Sequence, residues 1–116
     1  MPIMTSKFET SKLMSGEADG ITRMYGRDVG CPYNVGDQTL IAVDAGGKPE
    51  PYAKATIISI RPCEYRARAK DERLNKMDGF ESGPMWVSHF EKMYGEGTDD
   101  NMPLFRVQLK MEVMEK

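Results

Sequence analysis

Arg61, Arg66, Arg68, Lys70 and Arg73 fall close together in the second half of the chain, interleaved with Tyr65. Cations at that density can hold phosphates while an adjacent aromatic ring stacks a base, so Tyr65 and Arg66 mark a candidate nucleic-acid patch. Glu64, Asp71 and Glu72 dilute the patch, and a solvated charged face is the competing account. A second grouping is Tyr25, Arg27 and Tyr33, on or beside a glycine-containing stretch, where an aromatic ring and a cation can clamp a planar ligand. Turn packing is the preferred account of either tyrosine taken alone.

Other chemistries find little support in residue type and spacing. His89 is the single histidine and has no visible partners for a triad or a zinc site, so it reads as a helix-surface residue. Cys31 and Cys63 lack CxxC spacing and read as reduced thiols, with Cys31 the more accessible. No GxxxxGK[ST], HExxH or GxSxG occurs, which removes the common nucleotide-hydrolase, metalloprotease and serine-hydrolase readings. Asp99-Asp100 beside Gly97-Thr98 is too short for a calcium loop and reads as a solvated turn. No metal and no cofactor is expected.

The elements that must position these residues follow from pattern. Thr5 to Ser15 reads as a short helix closed by Gly16. Ile21 to Tyr25 alternates apolar and polar residues as a strand does, and Gly26 to Gly36 reads as a long irregular loop. Gln38 to Val43 predicts a strand with Leu40, Ile41 and Val43 toward a core, and Asp44 to Lys48 supplies a hairpin reversal. Tyr52 to Arg61 has the β-branched density of a central strand, which Pro62 ends or bulges before Glu64 to Ala67 resumes an extended course.

Helices are predicted over Lys70 to Lys76 and Ser82 to Tyr94, the latter with Ser82 as N-cap, Pro84 in its first turn and Trp86 among the packing residues. Gly95 and Gly97 stop it. Leu104 to Val113 alternates strictly, with an odd-numbered apolar face, and is the cleanest strand.

With 116 residues, 40% hydrophobic and 29% charged, the chain suffices for one core and is too short for two ordinary domains. A net charge of -2 gives no global attraction to phosphate or anionic membrane, so any nucleic-acid site must be a local patch. No apolar leader or bilayer-length run occurs, and a cytoplasmic protein with no membrane partner is expected. The ten methionines are read first as core filler, with an adaptable surface as the alternative.

Gly16, then Thr22-Arg23, then Val35-Gly36-Asp37 leading into a strand, resembles the small ASCH domains of the PUA-like superfamily, and the likeness runs over nearly the whole chain as a single domain, residues 1–116. It implies an α+β fold: a small closed or nearly closed β-barrel with short helices beside an open cleft. It also implies that Arg23 sits at the cleft, with Asp78 the carboxylate nearest to the family's acidic position. In members that act as amidohydrolases on acetylated cytidine, a lysine follows the glycine by two residues and a threonine precedes the arginine by two; here Ala18 and Ile21 stand there. The nucleophilic apparatus of those enzymes is therefore absent from its expected positions.

Arg23 offers a planar fork of donors suited to phosphate or a base edge, the alternative being a salt bridge to a carboxylate such as Asp37. The leading functional expectation is a binding module for RNA, single-stranded DNA or a nucleotide, anchored by Arg23 with Thr22, Tyr25, Arg27, Tyr65, Arg66 and Asp78 as further ligand-binding residues. Two alternatives stand beside it. One is a hydrolase of a modified nucleoside or RNA using Asp78 or Glu17 as general base. The other is a small accessory or phage-encoded factor that binds a protein partner through methionine-rich surface.

Overall fold

The computed structural model describes residues 3–25, 31–94 and 104–113. Its elements are β1 (Ile3–Thr5), α1 (Lys7–Ser15), β2 (Gly20–Met24), β3 (Gln38–Ala45), β4 (Lys48–Cys63), α2 (Tyr65–Lys70), α3 (Glu72–Met77), α4 (Gly83–Tyr94) and β5 (Leu104–Val113). All five strands form one sheet in the order β1-β3-β4-β5-β2. The architecture is α+β, a curled half-barrel of strands with short helices packed beside it.

Local chemistry explains several of these elements. Ser6 caps α1 through a reciprocal box in which its hydroxyl accepts from the Glu9 N–H and the Glu9 carboxylate accepts from its own N–H. Gly16 closes the helix in a left-handed conformation. The β3–β4 hairpin turns through Gly46 and Gly47 at φ 68° and 88°, a geometry that suits glycine at both central positions. Val35-Gly36-Asp37 is stitched to β4, since the Gly36 N–H donates to the Ile57 carbonyl and the Ile57 N–H to that of Asp37.

Two expectations about the middle of the chain are overturned. Pro62 does not interrupt its strand: β4 runs on to Cys63, and its register irregularities fall at Tyr52 against β3 and between Ile57 and Ser59 against β5. Pro49 and Pro51 lie where β4 pairs with β3 alone, and Pro62 where it pairs with β5 alone. A strand with one flank outside the ladder accommodates a residue that cannot donate. Residues 65–67, expected to be extended, belong instead to α2, while the helix expected over Lys70 to Lys76 is present as α3, Glu72–Met77. The two helices meet at Asp71, which ends α2 and caps α3 by accepting from the Leu74 N–H.

β1 was not anticipated. Three residues long, it gains its place by parallel pairing of Ile3, Met4 and Thr5 with Ile41, Ala42 and Val43. The facing of β3 also differs from expectation: Ile41 and Ala42, at the register shift against β4, are both buried, Val43 is half-buried and Leu40 is exposed.

The concave core gathers Ile3, Leu13, Ile21, Ile41, Ala53, Ile57, Val107 and Leu109. A second cluster, of Phe80, Trp86, Phe90 and Leu104, packs helices against the outer face. None of the described methionines is fully buried: Met4, Met14, Met85 and Met93 are exposed and Met24, Met77 and Met111 half-buried, and the core reading holds only for Met111, packed against the first cluster, and Met24, packed against the second. No helix among the described residues is long and apolar enough to cross a membrane.

Candidate functional site

Because side chains alternate along a strand, β2 sends Arg23 and Thr22 to opposite faces. Arg23 is 7% exposed and binds Glu9 through two donors, Nη1 to Oε2 at 2.7 Å and Nη2 to Oε1 at 2.8 Å. Nη2 also donates to the Met4 carbonyl at 2.9 Å. Arg23 thus reaches from one edge strand of the sheet, β2, to the other, β1, and bridges the open seam of the half-barrel. Its ion-pair partner is Glu9 rather than Asp37, which is exposed and accepts instead from the Asn34 N–H.

Burial raises the Glu9 carboxyl, but the Arg23 charge and hydrogen bonds, the Ser6 N–H and His89 outweigh it and hold the group below its ordinary value. On Arg23 burial is likewise outweighed by Glu9, and the guanidinium is held still more firmly protonated. His89 lies half-buried between α1 and α4, with its ring 5.2 Å from that of Phe80 and 5.8 Å from that of Phe8. Burial lowers its pKa despite the neighbouring Glu9. The helix-surface reading of His89 therefore gives way to a packing position.

On the outer face, Thr22 and Asp78 meet within a charged network. The Thr22 hydroxyl donates to Asp78 Oδ2 at 2.9 Å and accepts from Arg68 Nε at 3.1 Å. Arg68 forms an ion pair with Asp78 and donates to the Asn75 amide oxygen. From β5, Arg106 places Nη2 2.9 Å from Asp78 Oδ1 and pairs as well with Asp19. Every buried side-chain nitrogen and oxygen among the described residues has a partner. Asp78 is 4% exposed and surrounded by these donors.

Beside this network a cleft of about 310 Å³ opens between α3 and the outer face of β4 and β5. Arg61, Arg73 and Arg106 line it, together with the polar Ser59 and Gln108. Arg61 and Arg73 are exposed and form no ion pair among the described residues. Asp71 is the carboxylate on the rim. Cys63 shares the wall, and burial pushes its thiol above the ordinary range.

The structure therefore separates the residues singled out from sequence. Thr22 and Asp78 are hydrogen-bonded, while Arg23 lies on the other face with Tyr25 near it, half-buried against Phe105 at 5.9 Å. Burial raises the Tyr25 phenol well above its ordinary value. Tyr65 packs its ring 5.5 Å from those of Trp86 and Phe90, and Arg66 is exposed on α2. Arg27 lies outside the described residues, as do Gly95, Gly97 and Asp99-Asp100.

Within the basic stretch, Arg68 is no surface cation: it is 1% exposed at the centre of the network. Arg106 and Asp19 were missed. Arg106 occupies the polar phase of the β5 alternation, and nothing local distinguishes it there from a solvated residue.

Ala18 and Ile21, at the positions that resemble the catalytic lysine and threonine, are packed in the concave core. No family model matches the sequence, and no curated protein matches it. Solved structures do. The ASCH domain from Lactobacillus crispatus JV V101 superposes with a TM-score of 0.67 at 15% identity, covering 97% of this chain and 81% of that one. Protein EF3133 from Enterococcus faecalis V583, described as DUF984, gives 0.68 at 14% identity over 99% and 82%. The hypothetical protein PH0355 gives 0.64 at 17% identity over 97% and 100%. The likeness is one of fold: this chain shares the fold of the ASCH domain from Lactobacillus crispatus.

Proposed function

We propose that this protein binds single-stranded nucleic acid or a free nucleotide, with RNA the expected partner, through the cleft between α3 and the β4–β5 face. The observation that carries the reading is the pair of exposed guanidiniums of Arg61 and Arg73, which form no ion pair among the described residues, on a cleft whose wall also holds Arg106. Two exposed forks facing one concavity suit a phosphate, which they can grip through parallel hydrogen bonds. Ser59 and Gln108 add neutral donors and acceptors, and Leu74 and Met77 supply an apolar wall for a base. The Gln108 carbonyl and the Asp71 carboxylate offer acceptors for a 2′-hydroxyl, the group by which a site distinguishes RNA from DNA.

The anchor is thereby moved from Arg23, whose donors are engaged by Glu9 and Met4, to residues of the basic stretch. Binding is measured by fluorescence anisotropy with short oligouridylates, the matching deoxy-oligonucleotides and uridine monophosphate at two salt concentrations. Arg61→Ala/Arg73→Ala is expected to weaken binding at least about tenfold and to flatten the salt dependence, because phosphate contacts release counterions. Bound nucleotide is also expected to slow alkylation of Cys63. Affinity and salt slope unchanged in the double variant would sink the proposal, as would absence of binding by the parent.

A further inference from the structure

The outer face of the β4–β5 ladder continues beyond the cleft. A shallow groove of about 120 Å³ follows it, lined by Gln38, Lys54, Thr56, Lys110 and Glu112. Register makes the two depressions one track: Arg61 pairs with Arg106 and Ser59 with Gln108 in the cleft, then Thr56 with Lys110 and Lys54 with Glu112 in the groove. Between them lies the irregularity at Ile57/Ser59, where Ile58 is 47% exposed. An extra residue in one strand re-aims a side chain, and here it leaves an apolar group in solvent midway along a polar face.

Resting on the cleft reading above, we infer that this face is a track for several consecutive nucleotides of one RNA strand, entering at Arg61 and Arg73 and leaving across Lys54 and Lys110. Charge supports a polyanion as the occupant. The chain as a whole carries -2, yet along this face Lys54, Arg61, Arg73 and Lys110 form no ion pair among the described residues and are opposed by Asp71 and Glu112. Length supports more than one nucleotide. From Lys54 to Arg61 the strand advances roughly 20 Å at about 3.3 Å per residue. Ile58 gives a base an apolar contact between the two pairs of cations.

The test uses oligouridylates of increasing length beside uridine monophosphate. Affinity is expected to rise with length and level off on the order of four nucleotides, the lower end of single-strand site sizes. Lys54→Gln/Lys110→Gln is expected to weaken the longest oligomer about tenfold and to reduce the salt slope by about 1.4, two phosphate contacts at about 0.7 each. Binding of the mononucleotide stays at the parent value in that variant, since neither lysine lines the cleft. Mononucleotide binding lost in Arg61→Ala/Arg73→Ala, with no gain from length, overturns the track and leaves the cleft standing. Failure of every ligand to bind overturns both.

Discussion

The guanidinium of Arg68 lies over the indole of Trp86, its carbon 4.5 Å from the ring centroid, while its edge is bound by Asp78, Asn75 and Thr22. Trp86 comes from α4, Asp78 follows α3 and Thr22 belongs to β2, so one side chain joins the helical layer to the sheet. The aromatic face compensates a desolvated cation on one side and the carboxylate does so in its plane.

Arg68→Ala is expected to cost about 3–5 kcal/mol, the range for removing one partner of a buried ion pair. The loss leaves the buried Asp78 with fewer donors and opens space beside Trp86. Arg68→Lys, which keeps the charge without the planar fork, is expected to fall between Ala and the parent. Urea denaturation followed by tryptophan fluorescence measures both. An Arg68→Ala protein within about 0.5 kcal/mol of the parent, as for an ordinary surface site, would contradict the role given to the network.

The pair of Glu9 and Arg23 makes stability pH-dependent in a stated direction. The Glu9 carboxyl is lowered from 4.5 in the fold, so its contribution is complete above that value and is lost as pH falls through the lower folded one. His89 acts in a higher window. Burial lowers it from 6.5, so as pH drops below 6.5 the unfolded chain takes up a proton first and stability declines until the folded value is reached. Denaturation midpoints from pH 8 to pH 3 are expected to show both declines. His89→Gln should remove the upper one and leave the lower; a midpoint unaltered between neutrality and pH 5 in the parent would refute the His89 assignment.

Gly20 is required by close approach rather than by backbone conformation. A Cβ there would lie 2.6 Å from the Val107 carbonyl oxygen and 2.8 Å from Arg106 Nη2. Since Gly20 pairs with Gln108 in the β2–β5 ladder, Gly20→Ala is expected to push the strands apart and displace Arg106 from Asp19. Overpacking of this kind costs about 1–3 kcal/mol. Thermal denaturation reads the loss, and a stability equal to the parent would show that the ladder absorbs the methyl group.

Elements governed by neighbours in sequence were legible from the residues alone. The helix read over Thr5 to Ser15 carries its own stop signal in Gly16, the reversal at Gly46-Gly47 is fixed by residues that favour positive φ, and Leu104 to Val113 announces a strand through strict alternation. The resemblance carried by Gly16, Thr22-Arg23 and Val35-Gly36-Asp37 pointed to the fold that the structural superpositions show. Two of the cleft's cations, Arg61 and Arg73, also stood out as part of a basic stretch.

What tertiary structure alone decided are the partnerships between distant residues. β1 is too short to declare itself and exists through its pairing with β3. Pro62 sits within a strand because β3 no longer flanks β4 there. Arg23 finds Glu9 across the seam, and Arg68 and Arg106, two side chains that resemble solvated cations in the sequence, converge on Asp78. A side chain's charge is written in the sequence. Whether that charge is buried and paired or left free for a ligand depends on which strands and helices meet around it, because desolvation and Coulomb attraction act through space rather than along the chain.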